Sequence, residues 1–302
     1  MVDRRAAAIV VGAVVVGAVG GSPAFGACLP ADGQPRVSGG FRIGIARSGQ
    51  GAPKDKGVIA NMFRATRAQA RVMGGGGIRI LTDSALASPK ALADVKVLIL
   101  PEVKGLSNAQ RGAILAWVKN GGGLVSLYFD GRDDADGTPL VRKGFGGRTE
   151  WGSLSPAFGA NFINDAFMTQ ASFGMEQGHP LVAAASRFCG EPVPDYAWRR
   201  DQRPIALTGE LVEPNSGNFS PVARLRTVQI TWKRPEPKAK PGAVFAFTNQ
   251  YGAGRVVHFG FNFIDAWQPW TFQKYYAGVD PAGPNTGVAL LRGSVEWASG
   301  RA

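Results

Sequence analysis

The chain has 302 residues, of which 45% are hydrophobic and 19% charged, with a formal net charge of +12. That composition excludes a disordered or fibrous protein, and the length suits one large or two small domains that fold without a metal or disulfide scaffold. With two histidines a His-rich metal site is excluded, and no cofactor is expected.

The first residues read as an export signal. "MVDRR" is a short basic flank, "AIVVGAVVVGAVGG" an apolar stretch, and "SPAFGAC" the small residues that precede cleavage. Residues 1–27 are therefore expected to be removed, leaving an exported protein, periplasmic or extracellular. Ala24, Phe25 and Gly26 fit a cleavage that frees Ala27. Alternatively "FGAC" resembles a bacterial lipobox, with Cys28 as the lipidated residue and the only route to a membrane. Cys28 lies in a loose tail (28–40) and can also pair with Cys189, which otherwise reads as a small buried hydrophobe.

Next come alternating strands and helices. "FRIGIAR" (41–47) is a buried strand, 57–72 a helix stopped by "GGGG", and "IRILTD" (78–83) a second strand. Ser88 and Pro89 open a short helix, and "KVLILPE" (96–102) is continuously apolar, as in strands buried on both faces. Ser107 caps a helix that three glycines end, and "LVSLYFD" follows as a strand. This order predicts an α/β fold: a mostly parallel sheet flanked by helices, with Arg47, Asp83, Glu102 and Asp130 at one edge. Ligands of open α/β sheets bind at that edge. Residues 131–180 read as loop-rich and aromatic. Strands are expected over 222–232, 242–250 and 251–263, and a closing helix over 285–300 with Val288, Leu291, Val295 and Trp297 inward. Residues 41–302 read as one domain.

Four stretches carry a resemblance: "VLILPE…LSNAQRGAILAWVKNGGGLVSLYFDG", "GHPLV", "NQYGAGRVVHFGFNF" and "ALLRGSVEWASG". They resemble the class I glutamine amidotransferase-like superfamily, and within it the β-galactosidase trimerisation domain and the ThuA-like proteins. The resemblance implies a three-layer, flavodoxin-like fold with β-rich additions in the second half. Active members carry a G-x-C-x-G elbow and a later His-x-Glu pair. In this chain the nucleophile position falls on Phe129, the base and orienting positions on Gly260 and Asn262, and the oxyanion-hole glycines on Glu102 and Val103. None of these side chains supports that chemistry.

Other chemistry is weaker. "DGRDDADG" (130–137) fails the calcium-loop spacing, which puts Arg132 and Lys143 at ligand positions. Glu102 and Asp130 are the alternative catalytic pair, as acid and base of a glycan-directed hydrolase. His258, inside a strand, reads as structural, and His179 in "GHPLV" as a weak ligand candidate. Trp267, Trp270 and Tyr275 can stack on sugars or anchor an interface. The expected function is an exported, non-catalytic binding or assembly module that contacts ligand through Arg47, Glu102, Asp130, His179 and those aromatics. Carbohydrate, an anionic glycan, a second copy or an envelope partner would bind it, and nucleic acid would not. Membership of a cell-envelope complex is a further alternative.

Overall fold

A computed structural model describes residues 40–48, 77–127, 130, 154–168, 170–190, 192–193, 196–199, 207–229, 239–260 and 286–302. The expected helix over 57–72 lies outside them, as do Cys28, Phe129, Asn262, Trp267, Trp270 and Tyr275.

Among the described residues, nine strands form one mixed sheet. In chain order the elements are β1 (Ile43–Ala46), β2 (Ile78–Leu81), α1 (Asp83–Leu86), α2 (Pro89–Ala93), β3 (Val97–Leu100), α3 (Asn108–Lys119), β4 (Gly123–Leu127) and α4 (Ser155–Phe158). There follow β5 (Ala160–Met168), β6 (Gln170–Met175), α5 (Pro180–Cys189), β7 (Tyr196–Arg199), β8 (Leu207–Pro214), β9 (Ser220–Gln229), β10 (Val244–Tyr251), β11 (Gly254–Phe259) and α6 (Thr286–Ala298). The sheet order is β2-β1-β3-β4-β11-β10-β9-β6-β7, and β5 and β8 form a separate two-stranded ribbon. The first five strands run parallel and the remaining pairings are antiparallel. The sheet is therefore less parallel than expected.

Alternation along the parallel strands divides the core in two. Ile43, Ile45, Val97, Ile99, Val125 and Leu127 face α5 and α6, while Leu98, Leu100 and Leu124 face α1 to α4. Ser107 caps α3 by accepting from Gln110 N–H, and the Gln110 side chain accepts from Ser107 N–H. Such a capping box contributes about 1 kcal/mol. The glycine run then has a steric purpose. Gly121 takes a left-handed φ of 103° after α3, and a Cβ on Gly123 would collide with the Ala298 carbonyl of α6.

Three expectations are corrected. The "loop-rich" stretch contains α4, β5, β6 and the start of α5 within residues 154–180. In β6 Gln170 and Ser172 alternate with Ala171 and Phe173, but β5 sets Asn164 beside Asp165 and so breaks the period-two pattern that marks a strand. Asp83 belongs to the first turn of α1 and not to β2, and β4 ends at Leu127 with Asp130 in the turn beyond it. In α6 Leu291 and Val295 are buried as expected, and Trp297 packs half-buried against the same core, beneath the guanidinium of Arg255. Among the described residues, no helix is long and apolar enough to cross a membrane.

Candidate functional site

Parallel pairing places the ends of β1 to β4 at one edge, as the sequence predicts. Arg47 is exposed there. Asp83 ties three elements together, accepting from Ser48 Oγ at 2.6 Å and from Gln110 Nε2 at 3.2 Å. Glu102 is only 2% exposed, takes the unusual left-handed φ of 58°, and has Lys104 Nζ 3.4 Å from its carboxylate. A non-glycine residue in that conformation stores strain and marks a place where the backbone is being aimed.

The aimed group is the next amide. Val103 N–H donates to Asp130 Oδ1, Leu127 N–H donates to Asp130 Oδ2 at 2.7 Å, and Ser126 Oγ lies 2.8 Å from the same Oδ2. Three donors thus converge on one carboxylate, in the manner of a cradle for an oxyanion. Beyond Ser126 the contacts continue. Its Oγ is 2.8 Å from His258 Nδ1, and His258 Nε2 is 2.9 Å from Glu210 Oε2. Asp130, Ser126, His258 and Glu210 are all 0% exposed.

Each member is held by its element. Ser126 and His258 are directly paired in the β4–β11 register and project to the same face. The His258 ring lies against Phe158 and Phe247, with centroids 4.8 and 5.2 Å away. Glu210 comes from the ribbon strand β8. Its N–H donates to the Gly260 carbonyl at 2.5 Å, and Gly260 N–H donates to Phe245 O at 2.6 Å. A Cβ on Gly260 would lie 3.1 Å from the Glu210 carbonyl, so this glycine lets the ribbon sit down on the sheet.

Electrostatics follow burial. Desolvation drives the Asp130 carboxyl well above its usual range, against the pull of its hydrogen bonds from Ser126, Val103 and Leu127, and the Glu102 charge adds to the rise. Desolvation likewise pushes the His258 imidazole well below its ordinary value.

The other histidine lies on the opposite face. His179 is the N-cap of α5 and is 7% exposed. Its Nδ1 accepts from Leu181 N–H at 3.1 Å, so its proton resides on Nε2, which donates to Thr248 Oγ1 at 2.9 Å. Burial lowers its pKa to about 4, with the Glu176 charge opposing the shift. Of the expected contact residues, the structure brings Glu102 and Asp130 together, seals both, and places His179 elsewhere as a helix cap. Cys189 is buried and disulfide-bonded. No cluster of three or more metal-ligating side chains occurs among the described residues.

Ser126, His258 and Glu210 are absent from the contact set that the sequence suggests. One signal for two of them lies in the strands: "GLVSL" and "VVHF" each place one polar residue in an otherwise apolar run. Glu210 carries no comparable mark.

No protein-family model matches this chain, and no curated protein does. Solved structures with a similar fold include a ThuA-like protein and a β-galactosidase. A ThuA-like protein from Bacteroides uniformis is 14% identical with a TM-score of 0.55, over 92% of this chain and 95% of that one. A β-galactosidase from Bacillus circulans sp. alkalophilus is 11% identical with a TM-score of 0.50, over 85% of this chain and 30% of that one. This chain therefore spans less than a third of the β-galactosidase's length. At such identities the likeness is one of fold.

Proposed function

We propose that this chain is an exported, non-catalytic binding or assembly module. Its fold would be the three-layer, amidotransferase-like arrangement with strands added in the second half. The observation that carries this reading is the occupied cradle. The amides and hydroxyl that could stabilise a substrate oxyanion already hold Asp130, and the nearest imidazole is fully buried. An oxyanion hole works only when its donors await the charge that develops in the transition state. A hole filled by the chain's own carboxylate offers no such help.

Sugars or anionic glycans are the proposed ligands, on the strength of ThuA-like and β-galactosidase relatives in fold. Export is supported by the basic–apolar–small leader, and a disulfide at Cys189 suits an oxidising compartment. Cys28 is the one other cysteine in the sequence, so a disulfide within the chain would use the sulfur that a lipid anchor needs. Intact mass of protein taken from its own cells distinguishes these: loss of the leader and two hydrogens fits the proposal, and an added diacylglycerol overturns the disulfide.

The central test is turnover. The purified protein is incubated with glutamine and with a panel of aryl glycosides, and no product above the blank is expected. Hydrolysis that disappears in Glu102→Gln or Asp130→Asn, with the fold intact by circular dichroism, would make the chain a hydrolase. Light scattering of the same preparation reads whether it assembles with itself.

A further inference from the structure

We propose that Asp130, Ser126, His258 and Glu210 act as one proton-sharing chain carrying a single negative charge, and that it latches the β5–β8 ribbon to the sheet edge. This holds whatever the protein binds.

Hydrogens can be counted along the chain. Three hydrogen bonds join the four side chains in line: Asp130 to Ser126, Ser126 to His258, and His258 to Glu210. Every partner in this line can either donate or accept, once carboxyl groups are allowed to be protonated. The line is complete when it holds three hydrogens, one for each bond, which leaves a net charge of −1.

Three arrangements meet that condition. The charge can sit on Glu210, with Asp130 protonated and donating to Ser126. It can sit on Asp130, with Glu210 protonated and donating to Nε2. Or both carboxylates can flank an imidazolium. With one hydrogen fewer, two lone pairs face each other across a bond. With one more, a hydrogen points off the line.

The surroundings favour sharing over a fixed assignment. Burial works against charge on Asp130 and His258, whereas the Val103 and Leu127 amides draw charge back to Asp130. Among the described residues, the charged groups beside that end are Glu102 and its partner Lys104, and the imidazole lies against the tilted rings of Phe158 and Phe247, which do not titrate. A coupled set of this kind titrates as a unit. Mechanically, the line runs from the turn after β4, through β4 and β11, to β8. Glu210 is also where the ribbon's backbone meets Gly260. Charging both ends together therefore sets two carboxylates against one neutral imidazole and loosens the ribbon at its docking point.

Linkage supplies the test. At pH 8 the unfolded chain has both carboxylates ionised and the imidazole neutral, so these four side chains hold two hydrogens. The folded line holds three, and folding takes up one proton. The folding equilibrium constant should then fall about tenfold per pH unit between pH 7 and 9 from this source alone. In Glu210→Gln the side-chain amide donates to Nε2, Nδ1–H to Ser126, and Ser126 to Asp130. All three bonds are filled without proton uptake.

The experiment is denaturant unfolding of wild type and Glu210→Gln across pH 6 to 9. The expected result is a stability ratio between the two that changes about tenfold per unit above pH 7, with the variant less pH-dependent. Parallel curves overturn the proposal. Should the variant fail to fold, imidazole ¹⁵N and carboxyl ¹³C shifts of the wild type at pH 8 decide the matter. They should sum to one hydrogen beyond a neutral imidazole and two carboxylates, and a sum of zero refutes the shared proton.

Discussion

The molecule contains two histidines, both buried, on opposite faces of one sheet, and their surroundings assign their protons differently. At the start of α5, His179 meets a backbone N–H that can only donate, so one nitrogen must accept and the tautomer is fixed. At the sheet edge, His258 meets a hydroxyl and a carboxyl, either of which can donate or accept. The first histidine is a cap with one permitted state. The second is the middle of a line with several. Both imidazoles are buried, His258 more completely than His179, and their partners differ in whether they leave the proton one place or several.

Breaking the coupled end should have the largest effect. Both oxygens of Asp130 accept backbone amides, so Asp130→Asn sets its NH₂ against an N–H wherever it turns. We expect a loss of about 3–5 kcal/mol in chemical denaturation, the range for unpairing a buried polar network. A change below about 1 kcal/mol would mean that Asp130 is held far less tightly than its contacts state.

The cap makes a pH-dependent contribution of opposite character. The folded pKa of His179 is about 4 against an ordinary 6.5, so above pH 6.5 both folded and unfolded forms are neutral and nothing is lost. As pH falls from 6.5 towards 4, the unfolded chain takes up a proton that the folded one refuses. Stability should decline by ~3 kcal/mol at most across that window. Replacing His179 by Asn should remove this portion of the acid slope. An unchanged slope would show that His179 is not the group responsible.

A smaller effect separates capping from charge. His179→Ala loses the acceptor for Leu181 N–H and should cost about 1 kcal/mol at pH 7.5, while His179→Asn, a good capping residue, should cost less than half of that. The smallest expected change returns to the edge. Gly260→Ala brings a Cβ to within 3.1–3.2 Å of Glu210 and of the Phe245 carbonyl, which should shift the ribbon by a few tenths of an ångström. We expect a loss of about 1 kcal/mol or less, together with a displaced ¹⁵N resonance at His258 and none at His179.

Much of the frame is legible in the sequence itself. The four strands of the first half announce themselves as apolar runs between caps and glycines, and Ser107, Ser88 and the glycines at 121–123 do what their chemistry predicts. The placement of Glu102 and Asp130 at one edge follows from parallel pairing alone. The line from Asp130 to Glu210 is not legible in full. Ser126 and His258 look like tolerated polar residues until the β4–β11 register sets them side by side. Glu210 belongs to a ribbon whose docking depends on Gly260, and nothing local to β8 foretells a buried partner. His179 is legible only as a histidine before proline at a helix start, and its capping contact with Leu181 N–H emerges from the fold.

The left-handed turn at Glu102 has a consequence for any chemistry designed into this edge. By rotating the Val103 amide inward, it commits to Asp130 a donor that an attacking group would need. A nucleophile grafted at this elbow would therefore meet a host whose best electrostatic feature is already engaged in holding itself together. Asp130 would have to be removed first, and its removal undermines the scaffold before any rate is gained. Any rate engineered at this edge would have to be gained against that loss of stability.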